Sequence, residues 1–203
     1  MLRVGLTGGL ASGKSFVGSV LASKGCHLIR ADDLGHEVIA PDGEAYEAVV
    51  KAFGSGILRE DGTIDRRALG SLVFSDPERL AVLNSLVHPA VFRKQEEALE
   101  RIAAADPGGI AVVEAAIMIE TGSHRRYQRL VLAVCPREVQ IARAMERDHL
   151  TREAVLDRLS RQMPLEEKIP YADYVIDTSG DKTDTIRQTA RVYESLRDLK
   201  GAA

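Results

Sequence analysis

A glycine-rich octapeptide near the start of the chain constrains its fold more than any other feature. Residues 8–15 are Gly-Gly-Leu-Ala-Ser-Gly-Lys-Ser, which matches the pattern G-x-x-x-x-G-K-S. The apolar run Leu2 to Thr7 precedes this motif, and a segment with helical spacing of apolar residues follows it. A strand, a glycine-rich loop and a helix in this order are the context that a phosphate-binding loop requires, so we predict a P-loop here.

Each part of this loop has a chemical role in holding a nucleotide. Glycines allow backbone angles that turn successive N–H groups inward, and the N-terminus of the following helix adds positive potential. The Lys14 ammonium can reach the outer phosphates, and the Ser15 hydroxyl can hold Mg²⁺. We therefore expect ATP and Mg²⁺ as cofactors. The predicted ATP-binding residues are Gly8, Gly9, Ala11, Ser12, Gly13, Lys14, Ser15 and Phe16.

Five short apolar runs predict strands. They occupy residues 2–7, 27–30, 110–115, 130–135 and 174–177, and most of the segments between them have helical spacing. Alternating strands and helices are typical of a parallel sheet that is covered on both faces. We predict an α/β protein with a three-layer P-loop NTPase fold and a five-stranded parallel sheet, in which all five strands are buried.

Two segments between predicted strands are too long to be simple crossovers. The first, between the second and third strands, carries apolar residues at helical spacing, and Ser75 to Glu78 fits a capping box. The second carries Gln140, Arg143 and Arg147 on one helix face. We predict a nucleotide-binding core at residues 1–31, 90–136 and 171–203, a helical acceptor-binding insert at 32–89, and a helical lid at 137–170.

A P-loop alone does not distinguish a kinase from a GTPase or a motor. The sole asparagine is Asn84, so the Asn-Lys-x-Asp motif that recognises guanine is absent. A small-molecule kinase needs a carboxylate at the acceptor hydroxyl and an arginine-bearing cover. Asp32, after the second strand, is the candidate base or else a helix N-cap. Arg143 and Arg147 form either the cover or a solvated charged face.

Glu114 is the candidate partner of the metal. It ends the third predicted strand, at the sheet edge where sites form in open α/β folds. There it either orients Mg²⁺ or a water bound to Mg²⁺, or serves as a buried structural carboxylate.

Composition limits the partners. The chain has 27 Lys and Arg against 30 Asp and Glu, a net charge of -3, which gives no field that would attract nucleic acid or an anionic membrane. Aromatic residues at 4% without tryptophan argue against a base-stacking surface. The first residues lack the pattern of a signal peptide, and no window approaches 18 apolar residues, so we expect a cytoplasmic protein.

Cysteines and histidines favour neither redox nor zinc chemistry. Cys26 and Cys135 lie beside apolar runs and outside any C-x-x-C motif, so we expect small core residues in a reducing compartment. The five histidines form no H-x-x-x-H or H-x-x-E-H pair, so we expect no zinc site.

Taken in order, several motifs resemble those of one family, the dephospho-coenzyme A kinases. The resemblance runs from about Arg3 to Gly180 and begins with the P-loop at residues 5–15, whose doubled glycine follows a threonine. Further matches follow in the family's order: Ala31-Asp32, His36-Glu37-Val38, Phe53-Gly54, Asp61-Gly62, Asp65-Arg66, Val73-Phe74, Leu83-Asn84, His88-Pro89, Arg147, Arg158, Gln162, residues 166–168 and residues 172–176. Each match is weak alone, but their shared order is specific.

The resemblance implies transfer of the ATP γ-phosphoryl group to the ribose 3′-hydroxyl of dephospho-coenzyme A, the last step of coenzyme A synthesis. It implies that Asp32 is the base, that the insert binds the acceptor, and that the segment from Arg143 to Gln162 is the lid. His88 has either an acceptor-side role or a structural role with Pro89 at a helix start. We expect a monomer or weak homo-oligomer. Another small-molecule or nucleoside monophosphate kinase, or an ATP-binding regulatory protein, remains an alternative.

The chain departs from the family pattern at three points. The family usually has Asp-Ala-Asp where this chain has Arg30-Ala31-Asp32, so one carboxylate is replaced by a cation. The segment Glu114 to Glu120 keeps the family's two terminal acids but lacks its proline. Thr178 stands where the family has an asparagine, so we expect an amide contact near the adenine to be missing.

Overall fold

The computed structural model describes residues 1–73 and 76–201. Within this part of the chain the strands are β1 (Leu2–Gly8), β2 (His27–Arg30), β3 (Ile110–Glu114), β4 (Arg129–Val134) and β5 (Tyr174–Asp177). They form one sheet in the order β2-β3-β1-β4-β5, with β1 parallel to both β3 and β4, and β4 parallel to β5. The predicted α/β fold with a five-stranded parallel sheet is confirmed.

Helices occupy most of the segments between the strands and the segment after β5. They are α1 (Lys14–Ser23), α2 (Ala31–Val38), α3 (Tyr46–Phe53), α4 (Arg66–Val73), α5 (Pro77–Ala105), α6 (Arg137–Asp148), α7 (Arg152–Leu159), α8 (Leu165–Lys168) and α9 (Lys182–Gly201). Among the residues described, no helix is both long and apolar enough to cross a membrane.

The chain divides into two compact units. The sheet unit comprises Met1–Ile29 and Arg101–Ala203, and the insert unit comprises Arg30–Glu100. The domain boundaries predicted from the sequence, including a lid at residues 137–170, stay predictions.

Alternating strand residues build the core of the sheet unit. Val4 and Leu6 of β1 pack with Val17 of α1 and Leu196 of α9, and all four are completely buried. Burying a side chain of this size contributes about 1.5–3 kcal/mol. Cys26 and Cys135 are also buried, as predicted for core residues. The packing fixes β1, and with it the loop that follows, between two neighbouring strands.

The prediction that all five strands are buried was wrong for two of them. β2 and β5 lie at the two edges of the sheet, and Val175 of β5 is 42% exposed. An open sheet leaves each edge strand with one neighbour, so helices cover it incompletely. A short apolar run does not reveal how many neighbours a strand has.

The insert unit has its own apolar core. Val38, Val49 and Ile57 are fully buried there, together with residues from α4 and α5. At the start of α5, the Asp76 carboxylate accepts hydrogen bonds from the backbone N–H groups of Glu78 and Arg79, at 3.0 and 3.1 Å. This is an N-cap contact. Ser75, the first residue of the predicted capping box, lies outside the described residues.

Candidate functional site

The predicted P-loop connects β1 to α1. β1 ends at Gly8, and Gly13 is the N-cap of α1 with a φ of +83°. This left-handed backbone suits glycine, and a Cβ at this position would lie 2.9 Å from the Thr178 hydroxyl. Ala11 also has a positive φ, +52°, which alanine rarely adopts. The loop is therefore tightly turned and closely packed.

A cleft of about 390 Å³ opens against this loop. Its walls bring together most of the predicted nucleotide-binding residues with the basic face of α6. The lining residues are Ala11, Ser12, Gly13, Lys14, Ser15, Phe16, Arg143, Glu146 and Arg147. Sequence reasoning missed Glu146, which lies one turn beyond Arg143 on the helix and had no motif to mark it. Such a cleft can hold the phosphates of a nucleotide against a helix N-terminus.

A hydroxyl and a carboxylate meet beside the loop. The Ser15 Oγ donates a hydrogen bond to Glu114 Oε1 at 2.5 Å. Glu114 ends β3 and is 5% exposed, so its burial is as expected for either of its two suggested roles. Hydroxyl and carboxylate oxygens are the ligands that Mg²⁺ prefers, and Mg²⁺ at phosphate sites usually takes only one or two of them from the protein. The pair therefore fits this cation.

The polar face of α6 contacts the nucleotide loop and its surroundings. Gln140 Nε2 donates to the Leu10 carbonyl at 2.7 Å, and Arg143 donates to the Thr178 carbonyl at 2.6 Å and to its hydroxyl at 3.3 Å. A solvated charged face, which was the alternative for this helix, is wrong for Gln140 and Arg143. These side chains have backbone partners that are remote in sequence, which an isolated helix pattern cannot show.

Arg147 is placed differently from Arg143. Its guanidinium forms two hydrogen bonds to the neighbouring Asp148 carboxylate, at 2.7 and 2.9 Å, and its side chain is 59% exposed. Arg158 approaches the same carboxylate at 3.4 Å. Hydrogen bonding from Arg147 holds the pKa of Asp148 below its usual range. Asp148 therefore forms ion pairs with two arginines that the family resemblance assigns to the lid.

Thr178 connects the loop to Arg143. Its hydroxyl donates to the Ser12 carbonyl at 2.7 Å, and the residue is nearly completely buried. At this position the chain therefore has a hydroxyl that contacts the P-loop backbone, and the loss of an amide contact near the adenine stays a prediction. The adjacent Cys135 is buried in this environment, and this burial raises the pKa of its thiol.

A buried lysine holds the segment that lacks the family's proline. Lys168 is fully buried, and its ammonium pairs with Glu120 at 2.8 Å and donates to the Ala116 carbonyl at 3.0 Å. The Thr7 hydroxyl donates to the same carbonyl at 3.2 Å. Sequence reasoning missed this contact. Its only signal was the position of Lys168 in a matched family motif.

Asp32 and His88 belong to the insert unit. Arg30 is the N-cap of α2, and Asp32 lies in the exposed first turn, so the N-cap interpretation of Asp32 was wrong. Negative charge in a first turn is favoured by the helix dipole. His88 and Pro89 lie inside α5, so the helix-start interpretation of this pair was also wrong. Burial lowers the pKa of His88, whose ring lies 6.1 Å from that of Phe92.

A family model and curated relatives of this chain point to the same family. A family model described as dephospho-CoA kinase matches residues 2–184. A curated dephospho-CoA kinase from Syntrophus aciditrophicus is 39% identical over 97% of this chain and 83% of its own length.

Two solved structures resemble this chain over nearly its full length. A Thermus thermophilus protein superposes with a TM-score of 0.83 at 34% identity, with 96% of each chain covered. A dephospho-CoA kinase from Campylobacter jejuni superposes with a TM-score of 0.71 at 26% identity, with 97% of each chain covered.

Proposed function

Because the chain belongs to the dephospho-CoA kinase family, we propose that it transfers the γ-phosphoryl group of ATP to the ribose 3′-hydroxyl of dephospho-coenzyme A. The products are coenzyme A and ADP, which makes this the last step of coenzyme A biosynthesis. The observation that carries the proposal is the cleft where Lys14 and Ser15 meet the arginine-bearing face of α6. The family match includes the insert as well as this cleft.

Lys14 and the loop backbone bind the phosphates of ATP. Phosphoryl transfer involves little covalent chemistry for the protein, so catalysis consists mainly of positioning and of stabilising charge on the transferred group. Among the residues described, no hydrogen bond or ion pair engages the Lys14 ammonium, which lies in the wall of the cleft. Its charge is therefore available to the outer phosphates, where it counts most in the transition state.

Ser15 and Glu114 would hold Mg²⁺, Ser15 through its hydroxyl and Glu114 directly or through a water. When bound, the cation supplies neutralisation of the phosphate oxygens. The short hydrogen bond between the two side chains keeps both oxygens at one place beside the loop.

Arg143 and Arg147 supply the remaining positive charge of the cleft. Arg143 is fixed by Thr178, whereas Arg147 is paired with Asp148 on the surface. An incoming triphosphate therefore competes with Asp148 for Arg147, and we propose that this exchange accompanies closure of the predicted lid over the nucleotide.

Asp32 acts at the acceptor. Its carboxylate aligns the 3′-hydroxyl or takes its proton as the oxygen attacks the phosphorus. His88 binds the acceptor as a neutral imidazole, because burial disfavours its charged form. The cytoplasmic location and the monomeric or weakly associated state expected from the sequence stay predictions.

Product analysis tests the proposal. The protein is incubated with Mg-ATP and one candidate acceptor in each reaction: dephospho-coenzyme A, AMP, CMP, UMP or adenosine. Products are identified by mass spectrometry and phosphorus NMR. We expect rapid phosphorylation of dephospho-coenzyme A at the 3′-hydroxyl, with ADP in equal amount. Preferred phosphorylation of a nucleoside monophosphate, or ATP hydrolysis indifferent to dephospho-coenzyme A, would overturn the assignment.

A further inference from the structure

Two glutamine side chains hold the backbone of Leu10, which lies in the middle of the P-loop. Gln140 Nε2 donates to the Leu10 carbonyl at 2.7 Å, and Gln162 Oε1 accepts from the Leu10 N–H at 2.8 Å. Gln140 lies on α6, and Gln162 follows α7. Both backbone polar groups of one loop residue are thus bonded to the segment that we predict as the lid.

Apolar contacts reinforce these hydrogen bonds. Leu10 and Ala11 pack against a cluster formed by Ile141, Ala144 and Val155. Ala11 has the left-handed backbone noted above, which is unfavourable for a residue with a Cβ. A conformation of this kind persists only where its surroundings enforce it. The contacts at Leu10 and Ala11 are the surroundings that do so.

The two glutamines lie outside the nucleotide cleft. They line a second cavity of about 200 Å³, whose walls share no residue with those of the first. Gly9 also lines this cavity, and a Cβ on Gly9 would lie 2.5 Å from Gln140 Nε2. The loop therefore packs closely against Gln140. Either glutamine can affect a nucleotide in the first cleft through the loop, without contacting the nucleotide.

We propose that Gln140 and Gln162 are positioning residues that act on the nucleotide through Leu10. They hold the loop in the turn at Ala11 that directs its N–H groups toward the phosphates. This inference deepens the proposed function and rests on it only for the presence of a Mg-nucleotide at the P-loop. It does not depend on the identity of the acceptor.

The chemistry of the two hydrogen bonds gives a matched pair of variants. A carbonyl only accepts and an N–H only donates, so Gln140 must present its NH₂ group and Gln162 its oxygen. Gln162→Glu keeps an acceptor for the Leu10 N–H. Gln140→Glu instead opposes a carboxylate oxygen to the Leu10 carbonyl. Both variants add one negative charge beside the same residue, and they differ in whether the hydrogen bond to Leu10 is kept.

Affinity for Mg-ADP, measured by calorimetry, is the first readout. We expect Gln140→Glu to bind Mg-ADP at least tenfold more weakly than Gln162→Glu. Thermal unfolding of both variants checks that they are folded. Equal affinities in two folded variants would overturn the proposal.

The second test removes only the hydrogen-bond acceptor of the Leu10 N–H. Gln162→Leu should speed hydrogen exchange of the Leu10 amide at least tenfold, as measured by NMR. It should also raise the KM for ATP about fivefold while kcat stays within twofold, and Gln162→Glu should recover most of this loss. Gln128→Leu is the control, because it removes a similar hydrogen bond from the Arg3 N–H at the other end of β1. It should leave Mg-ADP affinity within twofold.

The outcomes separate a positioning role from a structural one. Faster exchange at Leu10 with unchanged KM for ATP and unchanged Mg-ADP affinity would show that the contacts only stabilise the loop, and would overturn the proposal. If Gln162→Leu does not fold, the comparison of the two glutamate variants decides. Failure of the proposed function is seen separately, in wild-type protein that binds Mg-ADP but does not phosphorylate dephospho-coenzyme A.

Discussion

The sheet unit and the insert unit present their functional side chains in opposite ways. In the sheet unit, Ser15 is bonded to Glu114, and Thr178 joins Arg143 to the backbone of Ser12. In the insert unit, Asp32 lies in an exposed helical turn, and no hydrogen bond or ion pair engages its carboxylate among the residues described.

This difference matches the chemistry assigned to each unit. Stabilising a highly charged transferred group requires groups that are already in place, since reorganising them during the reaction would cost energy. The acceptor hydroxyl instead needs one carboxylate at the right distance. Contacts within the protein hold the side chains of the phosphate side, and we propose that Asp32 acquires its partner from the substrate.

The largest expected effect is on the phosphate side. Lys14→Ala should lower turnover by about 10³-fold, because it removes a charge that acts on the transferred group. Its thermal unfolding should be nearly unchanged, since Lys14 contributes little to the core. Lys24→Ala is the control, because Lys24 follows the same helix and lies outside the cleft. A folded Lys14→Ala enzyme with near-normal turnover would refute the P-loop assignment.

The next largest effect is on the acceptor side. Asp32→Asn should lower kcat by about 10²-fold, with ATP affinity within twofold, because its role is at the acceptor hydroxyl. Asp33→Asn provides a matched control in the same helical turn. If ATP affinity falls while kcat survives, Asp32 is a nucleotide ligand and the division between the two units fails.

A smaller effect is expected at Thr178, the residue that joins the P-loop to α6. Thr178→Val removes the hydroxyl that Ser12 and Arg143 share, so we expect the KM for ATP to rise about tenfold. Thr178→Ser keeps the hydroxyl and should recover most of the affinity. Steady-state kinetics at saturating acceptor measure both. Equal KM values for the two variants would mean that the hydroxyl does not organise the site.

The smallest effect is expected at Arg30. Arg30 is the exposed N-cap of α2, and the cation is tolerated if it points away from the acceptor or pairs with a nearby carboxylate. Arg30→Asp should then leave kcat/KM within about threefold, less than ~1 kcal/mol. A large gain would show that this chain is a compromised enzyme, and a large loss would make Arg30 a substrate ligand.

Local patterns made the sheet and the P-loop predictable. The motif at residues 8–15 and the apolar runs are short and continuous, so neighbouring residues determine them. Positions of edge strands depend on the whole topology, and β2 and β5 were therefore predicted as buried in error. The interior position of Pro89 in α5 was missed because a proline pattern normally marks a helix start.

Contacts between distant residues limited prediction of the site. Gln140 and Gln162 meet Leu10 across separations of 130 and 152 residues, and no spacing rule connects such positions. The same holds for Lys168 and Ala116, which are 52 residues apart. The sequence identified the residue types of the phosphate side, but not the side chains that hold them in place.

Separate binding of the two substrates to two variants tests the division between the units most directly. Dissociation constants for ATP and for dephospho-coenzyme A are measured by calorimetry on Lys14→Ala and on His88→Leu. We predict that Lys14→Ala weakens ATP binding at least tenfold and leaves the dissociation constant of dephospho-coenzyme A within twofold. We predict that His88→Leu weakens binding of dephospho-coenzyme A at least tenfold and leaves the dissociation constant of ATP within twofold. A result in which both variants weaken the same substrate, or in which His88→Leu weakens neither, would contradict the account.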